Sequence, residues 1–292
     1  MLSLILCILF TASLGLFFKW FEKFGINNFQ AIVFNYVSCV LTGCIVQQSF
    51  PDYLAYSSAG WFPFAITLGC SFLFFFNVMG RIVMQSGVTV MSVANKLSLV
   101  IPVVVAFILY HESVTALKLA GIFLALISVI FVSLKKEVKH NSSQKNINAS
   151  MLALPLLLFF GSGANDSLVK YAQINFMSDT DNAPFNITIF SASASAGIAI
   201  LLSQIIFFGK KISWKSAAGG IILGIPNYFT MHFLVKALAN SGLESSVVFP
   251  INNIGIVAAS ALFAYLLFRE KLSLLNLIGL GLAFAAIVLI AV

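Results

Sequence analysis

A lysine, an aspartate and a histidine stand in stretches of this chain where almost every neighbour is apolar. Lys96 lies inside the run 87–110, Asp166 inside 150–176 and His232 inside 215–237. A charge at the centre of hydrocarbon costs ~2.5–3.5 kcal/mol on insertion scales, so each such group needs a partner, a water-filled space or a task. Lys96 could hold an anionic group of a ligand or act as a proton site; equally, it could pair with a buried carboxylate or snorkel outward. Asp166 could lose and regain a proton, coupling movement of a solute to a proton gradient. The alternative is a static pair with Lys96, or with Lys170 one helical turn away. An imidazole titrates near neutral pH, which makes His232 a candidate proton carrier, although a lone histidine can simply satisfy a backbone carbonyl.

Amides and hydroxyls accompany these groups. Thr89, Ser92 and Lys96 share one helical face, as do Glu244, Val248 and Asn252. Pro250 falls inside the second of these stretches, and Pro226 precedes Asn227. A proline weakens the helical hydrogen-bond ladder, which can expose carbonyls or serve only as a packing kink. Asn77, Asn95, Lys96, Asp166, His232, Asn252 and Asn253 are therefore the candidate ligand-binding residues. Asp166 and His232 are the candidates for proton coupling, and Pro226 and Pro250 for gating or kinks.

Several chemistries lack their parts. There is no G-x-x-x-x-G-K-[ST] phosphate loop, no H-E-x-x-H and no G-x-S-x-G. Only three histidines are present, one of them in the polar centre of the chain. An intramembrane enzyme is thus the remote reading, and no cofactor and no metal are expected. The four cysteines, Cys7, Cys39, Cys44 and Cys70, show no Cys-x-x-Cys spacing and read as buried, inert thiols.

The elements that must position these residues follow from composition. With 60% hydrophobic residues, 9% charged residues and a mean hydropathy of +1.03, the 292-residue chain is predicted to be an all-α integral membrane protein. Ten apolar segments are long enough to cross a bilayer as helices: 2–22, 28–48, 59–82, 87–110, 115–134, 150–176, 183–208, 215–237, 243–268 and 272–292. The first has no basic residues ahead of it and is read as a retained helix, not a cleaved signal. Small residues in SASASAG (Ser191 to Gly197), and Gly220 with Gly224, mark faces where helices can approach closely. Packing within the chain is preferred there, leaving a monomer or weak homodimer.

The chain also repeats itself. RIVMQSG (Arg81 to Gly87) is matched by KALANSG (Lys236 to Gly242), and HESVTALKLAGIFLALISVIF (His111 to Phe131) by REKLSLLNLIGLGLAFAAIVL (Arg269 to Leu289). The first match sets His232 on Asn77; the second sets Glu270 on Glu112, Asn253 on Asn95 and Asn252 on Ala94. Residues 1–134 form one five-helix repeat, 135–149 a polar linker, and 150–292 the second repeat. An odd number of spans per copy gives the two copies opposite orientations, the inverted-topology arrangement of many secondary transporters.

Twelve of the sixteen basic residues fall on one side of this ten-helix scheme, including those of the linker, Lys210, Lys211, Lys215 and Arg269. The positive-inside rule makes that side, and the linker, cytoplasmic and puts both termini outside. The net charge of +7 belongs to loops and requires no nucleic-acid partner.

The two Glu-containing turns, HESVTALKLAG with Glu112 and Gly121 and REKLSLLNLIG with Glu270 and Gly279, are similar to those of the drug/metabolite transporter superfamily. Its EamA-like branch is the nearest pattern. Pro102 ahead of the first turn, and Lys19 and Lys170 late in the first helix of each half, add to the resemblance. It implies two five-helix halves around a cavity near the membrane midplane, and both termini in the cytoplasm, opposite to the charge bias. The expected function is secondary active transport of a small-molecule substrate, such as export of amino acids, by alternating access and with proton coupling in view. A lipid or lipid-linked-sugar flippase of the same fold is the alternative. The expected location is the cell membrane, the inner membrane if the source is bacterial. A cavity open sideways to lipid would favour the flippase, and a closed polar one the soluble metabolite.

Overall fold

The computed structural model describes residues 2–48, 50–109, 115–133, 149–240, 245–269 and 272–291. The turns bearing Glu112 and Glu270, together with Glu244 and nearly all of the 135–149 linker, lie outside the described residues. What is described is helical, without strands. The elements are α1 (Leu2–Phe24), α2 (Asn28–Gln47), α3 (Tyr53–Tyr56), α4 (Phe62–Ser86), α5 (Val88–Leu97), α6 (Val100–Leu109), α7 (Ala116–Ser133), α8 (Ala149–Phe176), a 3-10 turn at Asp179–Asp181, α9 (Asn182–Phe208), α10 (Trp214–Asn240), α11 (Ser245–Phe268) and α12 (Leu274–Ala291). Among the described residues, six helices are long and apolar enough to cross a membrane: α1, α2, α4, α8 from Leu152, α9 and α11 from Ile251.

Their outward faces are apolar as well. Leu41, Ile45, Phe207, Phe208 and Leu266 are all exposed. A continuous apolar exterior of this kind is compatible with a multi-pass membrane protein and foreign to a water-soluble monomer.

The long helices coincide with the apolar runs of the sequence, and α3 is a short addition between α2 and α4. Ten membrane-spanning segments were expected against these six among the described residues, and 87–110 differs further: it is two helices, α5 and α6, separated at Ser98 and Leu99. Pro102 supplies the reason. The Ser98 carbonyl would accept the N–H of residue 102 in a continuous helix, and proline has none. That carbonyl instead accepts from Ile101 N at 2.9 Å, a tighter i to i+3 turn. The Ser98 hydroxyl turns back to donate to the Asn95 carbonyl. Gly163 of α8 packs against the break, where an added Cβ would stand 2.7 Å from Ser98 O. By contrast, α10 continues through the buried Pro226, and Pro250 lies within α11.

Pairings between the helices follow a rule. α2 packs on α10 as α9 packs on α4; α1 packs on α10 and α11 as α8 packs on α4, α5 and α6. Three further pairs, α2 with α9, α5 with α11 and α7 with α12, join elements of the two halves that hold equivalent places in chain order.

Chemistry at two equivalent interfaces matches too. Ser193 of α9 donates to Gly69 O of α4 at 2.7 Å, while Ser38 of α2 donates to Ile221 O of α10 at 3.0 Å and Cys39 to Gly224 O at 3.3 Å. An added Cβ on Gly69 would stand 2.6 Å from Ile189 O, and one on Gly224 would meet Asn35 O and Ser38. The spacing that sets Lys236 on Arg81 also sets Gly224 on Gly69 and Ser193 on Ser38.

The main core runs through the bundle, with Phe18, Ile32, Cys39, Leu97 and Val257 buried. A smaller cluster around Trp61, Leu68 and Phe185 closes one end.

Candidate functional site

Between the helices lies a cavity of about 180 Å³. α4 contributes Phe72, Phe75, Phe76 and Met79 to its lining, joined by Tyr36 of α2 and Phe190 of α9. The polar lining residues are Asn95 of α5, Ser162, Asn165 and Asp166 of α8, and Asn227 and Thr230 of α10 beside Met231. Among these lining residues Asp166 alone carries a charge. It sits near the middle of a 28-residue helix and is nevertheless an exposed residue, because the cavity reaches it.

Helical periodicity explains the convergence. Ser162, Asn165 and Asp166 recur at i, i+3 and i+4 on α8, and Asn227, Thr230 and Met231 do so on α10. The Arg81–Lys236 spacing superposes Asn227, Thr230 and Met231 on Phe72, Phe75 and Phe76. Residues of α4 and α10 related by one sequence spacing thus line the same cavity, aromatic from α4 and largely polar from α10.

Hydrogen bonds hold this wall in place. Ser71 donates to Asn165 Oδ1 at 2.6 Å, and Asn227 Nδ2 donates to Asn35 Oδ1 at 3.2 Å. Thr230 donates to Asn227 O at 2.7 Å, and Cys7 Sγ to Thr230 O at 3.4 Å. The half-buried Lys96 interacts electrostatically with both Asp166 and Cys7, but it forms no contact ion pair with Asp166.

Of the candidates named from sequence, Asn95 and Asp166 line the cavity, and Lys96 stands beside it. Asn77 is half-buried and donates to Leu73 O of its own helix at 2.8 Å. His232 lies against Tyr228, Phe229 and Phe233, its ring centroid 6.1, 5.9 and 5.4 Å from theirs, away from the lining. Asn252 is buried in α11 and its Oδ1 has no protein partner among the described residues; Asn253 is half-buried beside it. Ser92, expected to share a face with Lys96, donates to Ser260 of α11 at 3.0 Å.

Tyr36, Ser162, Asn165 and Thr230 were missed. For Ser162 and Asn165 the signal was present, since both fall on the Asp166 face of α8. Among the described residues, no three His, Cys, Asp or Glu side chains converge as a metal site.

A second, larger feature is a groove of about 610 Å³ on the flank of the bundle, bounded by α2, α4 and α9. Val37, Val40, Phe62 and Ala192 form part of its apolar floor, and Leu41 and Ile66 on its rim are exposed. Tyr53 and Ser191 are hydrogen-bonded at 2.6 Å within it. Cys70 also lines the groove and is exposed, unlike the buried thiol expected there; it lies on the face of α4 that the groove leaves open.

No family model matches the chain. It is 29% identical over 293 residues to an uncharacterized protein of Haemophilus influenzae, covering 98% of this chain and 96% of that one. Among solved structures, one crystal structure superposes with a TM-score of 0.59 at 14% identity, over 99% of this chain and 94% of the other. That likeness is one of fold.

Proposed function

We propose that this protein is a secondary active transporter of small metabolites such as amino acids. In this reading it has ten membrane-spanning helices in two inverted five-helix repeats, of the drug/metabolite transporter type and its EamA-like branch. The observation that carries it is Asp166, a charged carboxylate lining a cavity between helices that hold equivalent places in the two halves. Transporters with inverted repeats bind substrate at the repeat interface, near the midplane. Support for the repeat comes from the matching helix pairings and from the glycine and serine contacts that recur at one sequence spacing.

The mechanism is alternating access, with the two halves rocking about the cavity. Asp166 exchanges a proton as the cavity changes sides, and Lys96 tunes that exchange through its charge. The amides of Asn95, Asn165 and Asn227 orient the cargo. Breakage of the fourth span at Ser98 leaves a hinge directly beside Asn95 and Lys96. The distribution of basic residues puts the 135–149 linker in the cytoplasm and the termini outside.

The test is proton release or uptake by purified protein in detergent, on addition of amino acids, organic anions and lipophilic cations. A ligand-dependent proton signal that disappears in Asp166→Asn is the expected result. A signal of equal size in that variant would remove Asp166 from the coupling step. Silence across the whole panel would contradict proton coupling.

A second reading, lipid or lipid-linked-sugar flipping, is favoured by one observation, the apolar groove on the flank whose rim includes the exposed Leu41 and Ile66. Among the described residues, none that lines this groove carries a charge to receive a headgroup, so it ranks second.

A further inference from the structure

Resting on the transporter reading, and sharpening its cargo, we infer that the cavity selects a small organic ammonium with an aromatic or aliphatic arm over a zwitterion or an anion. Three properties of the lining lead there. The first is charge: Asp166 supplies a carboxylate, and among the described residues that line the cavity there is no cation. Lys96 is half-buried outside that lining, where its charge acts on Asp166 and Cys7. An N⁺–H to carboxylate bond is a strong class of hydrogen bond, and a second carboxylate in the same small space is repelled.

The second property is aromatic content. Tyr36, Phe72, Phe75, Phe76 and Phe190 bring five rings to one small volume. Aromatic faces attract cations through the ring quadrupole, most strongly where water is excluded, and repel anions by the same effect. The rings also accept an apolar arm. Positions of α4 and α10 related by one sequence spacing thus carry different chemistry, aromatic on α4 and largely polar on α10, so the lining offers both kinds of contact to an amphipathic cargo.

The third property is size. About 180 Å³ is below the roughly 300–1,000 Å³ of pockets that take drug-sized ligands. It admits a single ring or a short chain with its ammonium, and no lipid. Amides from Asn95, Asn165 and Asn227 and the Thr230 hydroxyl offer acceptors for the remaining ammonium hydrogens.

Calorimetric titration of the full chain in detergent with phenethylammonium, phenylacetate and phenylalanine tests this. The expected order is saturable phenethylammonium binding, weaker phenylalanine and no phenylacetate. Asp166→Asn should weaken the amine at least tenfold while leaving thermal stability unlowered. Phe75→Leu, which keeps an apolar wall without a ring, should weaken it by roughly three- to tenfold.

Phenylalanine binding more tightly than the amine would overturn the ammonium class while leaving proton-coupled transport intact, as would binding of none of the three compounds. Amine affinity indifferent to Asp166→Asn would overturn the assignment of this cavity. Failure of transport itself would read differently: the amine would bind as expected, with loss in both variants, but would not cross the membrane of proteoliposomes containing wild-type protein.

Discussion

Asp166 owes its accessibility to what surrounds it. A carboxylate in the middle of an apolar helix is tolerable where water or a counter-charge reaches it, and here the cavity and Lys96 both do. The presence of a charged group in an apolar run was legible in the sequence, and Lys170 and Lys96 were its two candidate partners. Lys96 acts on it electrostatically from α5, through tertiary packing that helical spacing alone does not specify. His232 lies among three rings of its own helix, Tyr228, Phe229 and Phe233, and is not among the residues lining the cavity. At the rim of the molecule, Asp181 has a different task. Its carboxylate accepts from the Ser178 backbone N–H and hydroxyl, both at 2.7 Å, closing a capping box ahead of α9. Those bonds hold its pKa below the ordinary carboxylate range. A carboxylate whose folded pKa is depressed contributes stability above its unfolded value, ~3.9, and loses it as pH falls through the folded one. Wild-type protein should therefore melt higher than Asp181→Asn at neutral pH, with the gap closing under acid below about pH 4. Equal melting temperatures at both pH values would contradict a stabilising cap.

Among the elements, apolar runs defined where most helices lie, because length and hydropathy are local properties. The interruption of the fourth segment is also written locally, in Pro102, although prolines at 226 and 250 seemed the more obvious breakers. At Pro102 the orphaned Ser98 carbonyl accepts from Ile101 N, and the helix divides there. Close packing at α4 with α9 and α2 with α10 depends on glycine in each pair. Gly69→Ala would drive a methyl toward Ile189 O and Ala192, and Gly224→Ala toward Asn35 O and Ser38. Each substitution should cost about 1–3 kcal/mol, as overpacking does. The check is the midpoint of unfolding in detergent, which should fall for both. An unchanged midpoint for either would mean that its helices have room to separate. Gly161→Ala is instructive in another way, since its methyl would overlap the Phe75 ring. That ring lines the cavity, so the substitution should alter ligand affinity more than stability, as measured by calorimetry alongside thermal melting.

At the scale of the whole molecule, one sequence spacing recurs in the structure. The same spacing relates glycine contacts, serine bonds and three cavity-lining positions on α4 and α10. The cavity itself was harder to foresee. Phenylalanine occurs 30 times in the chain, mostly where any apolar residue would serve, so the rings that face inward could not be told from those that face outward. Only the packing of both halves selects them. If the halves rock about this cavity, its polar wall must meet water from one side of the membrane and then the other. The most direct test places a single cysteine at Thr230, with the four native cysteines replaced, and probes it with a membrane-impermeant thiol reagent in right-side-out and inside-out vesicles. Alternating access predicts labelling from both sides, slowed by bound ligand in each case. Labelling confined to one side, with or without ligand, would contradict a transporter built around this cavity.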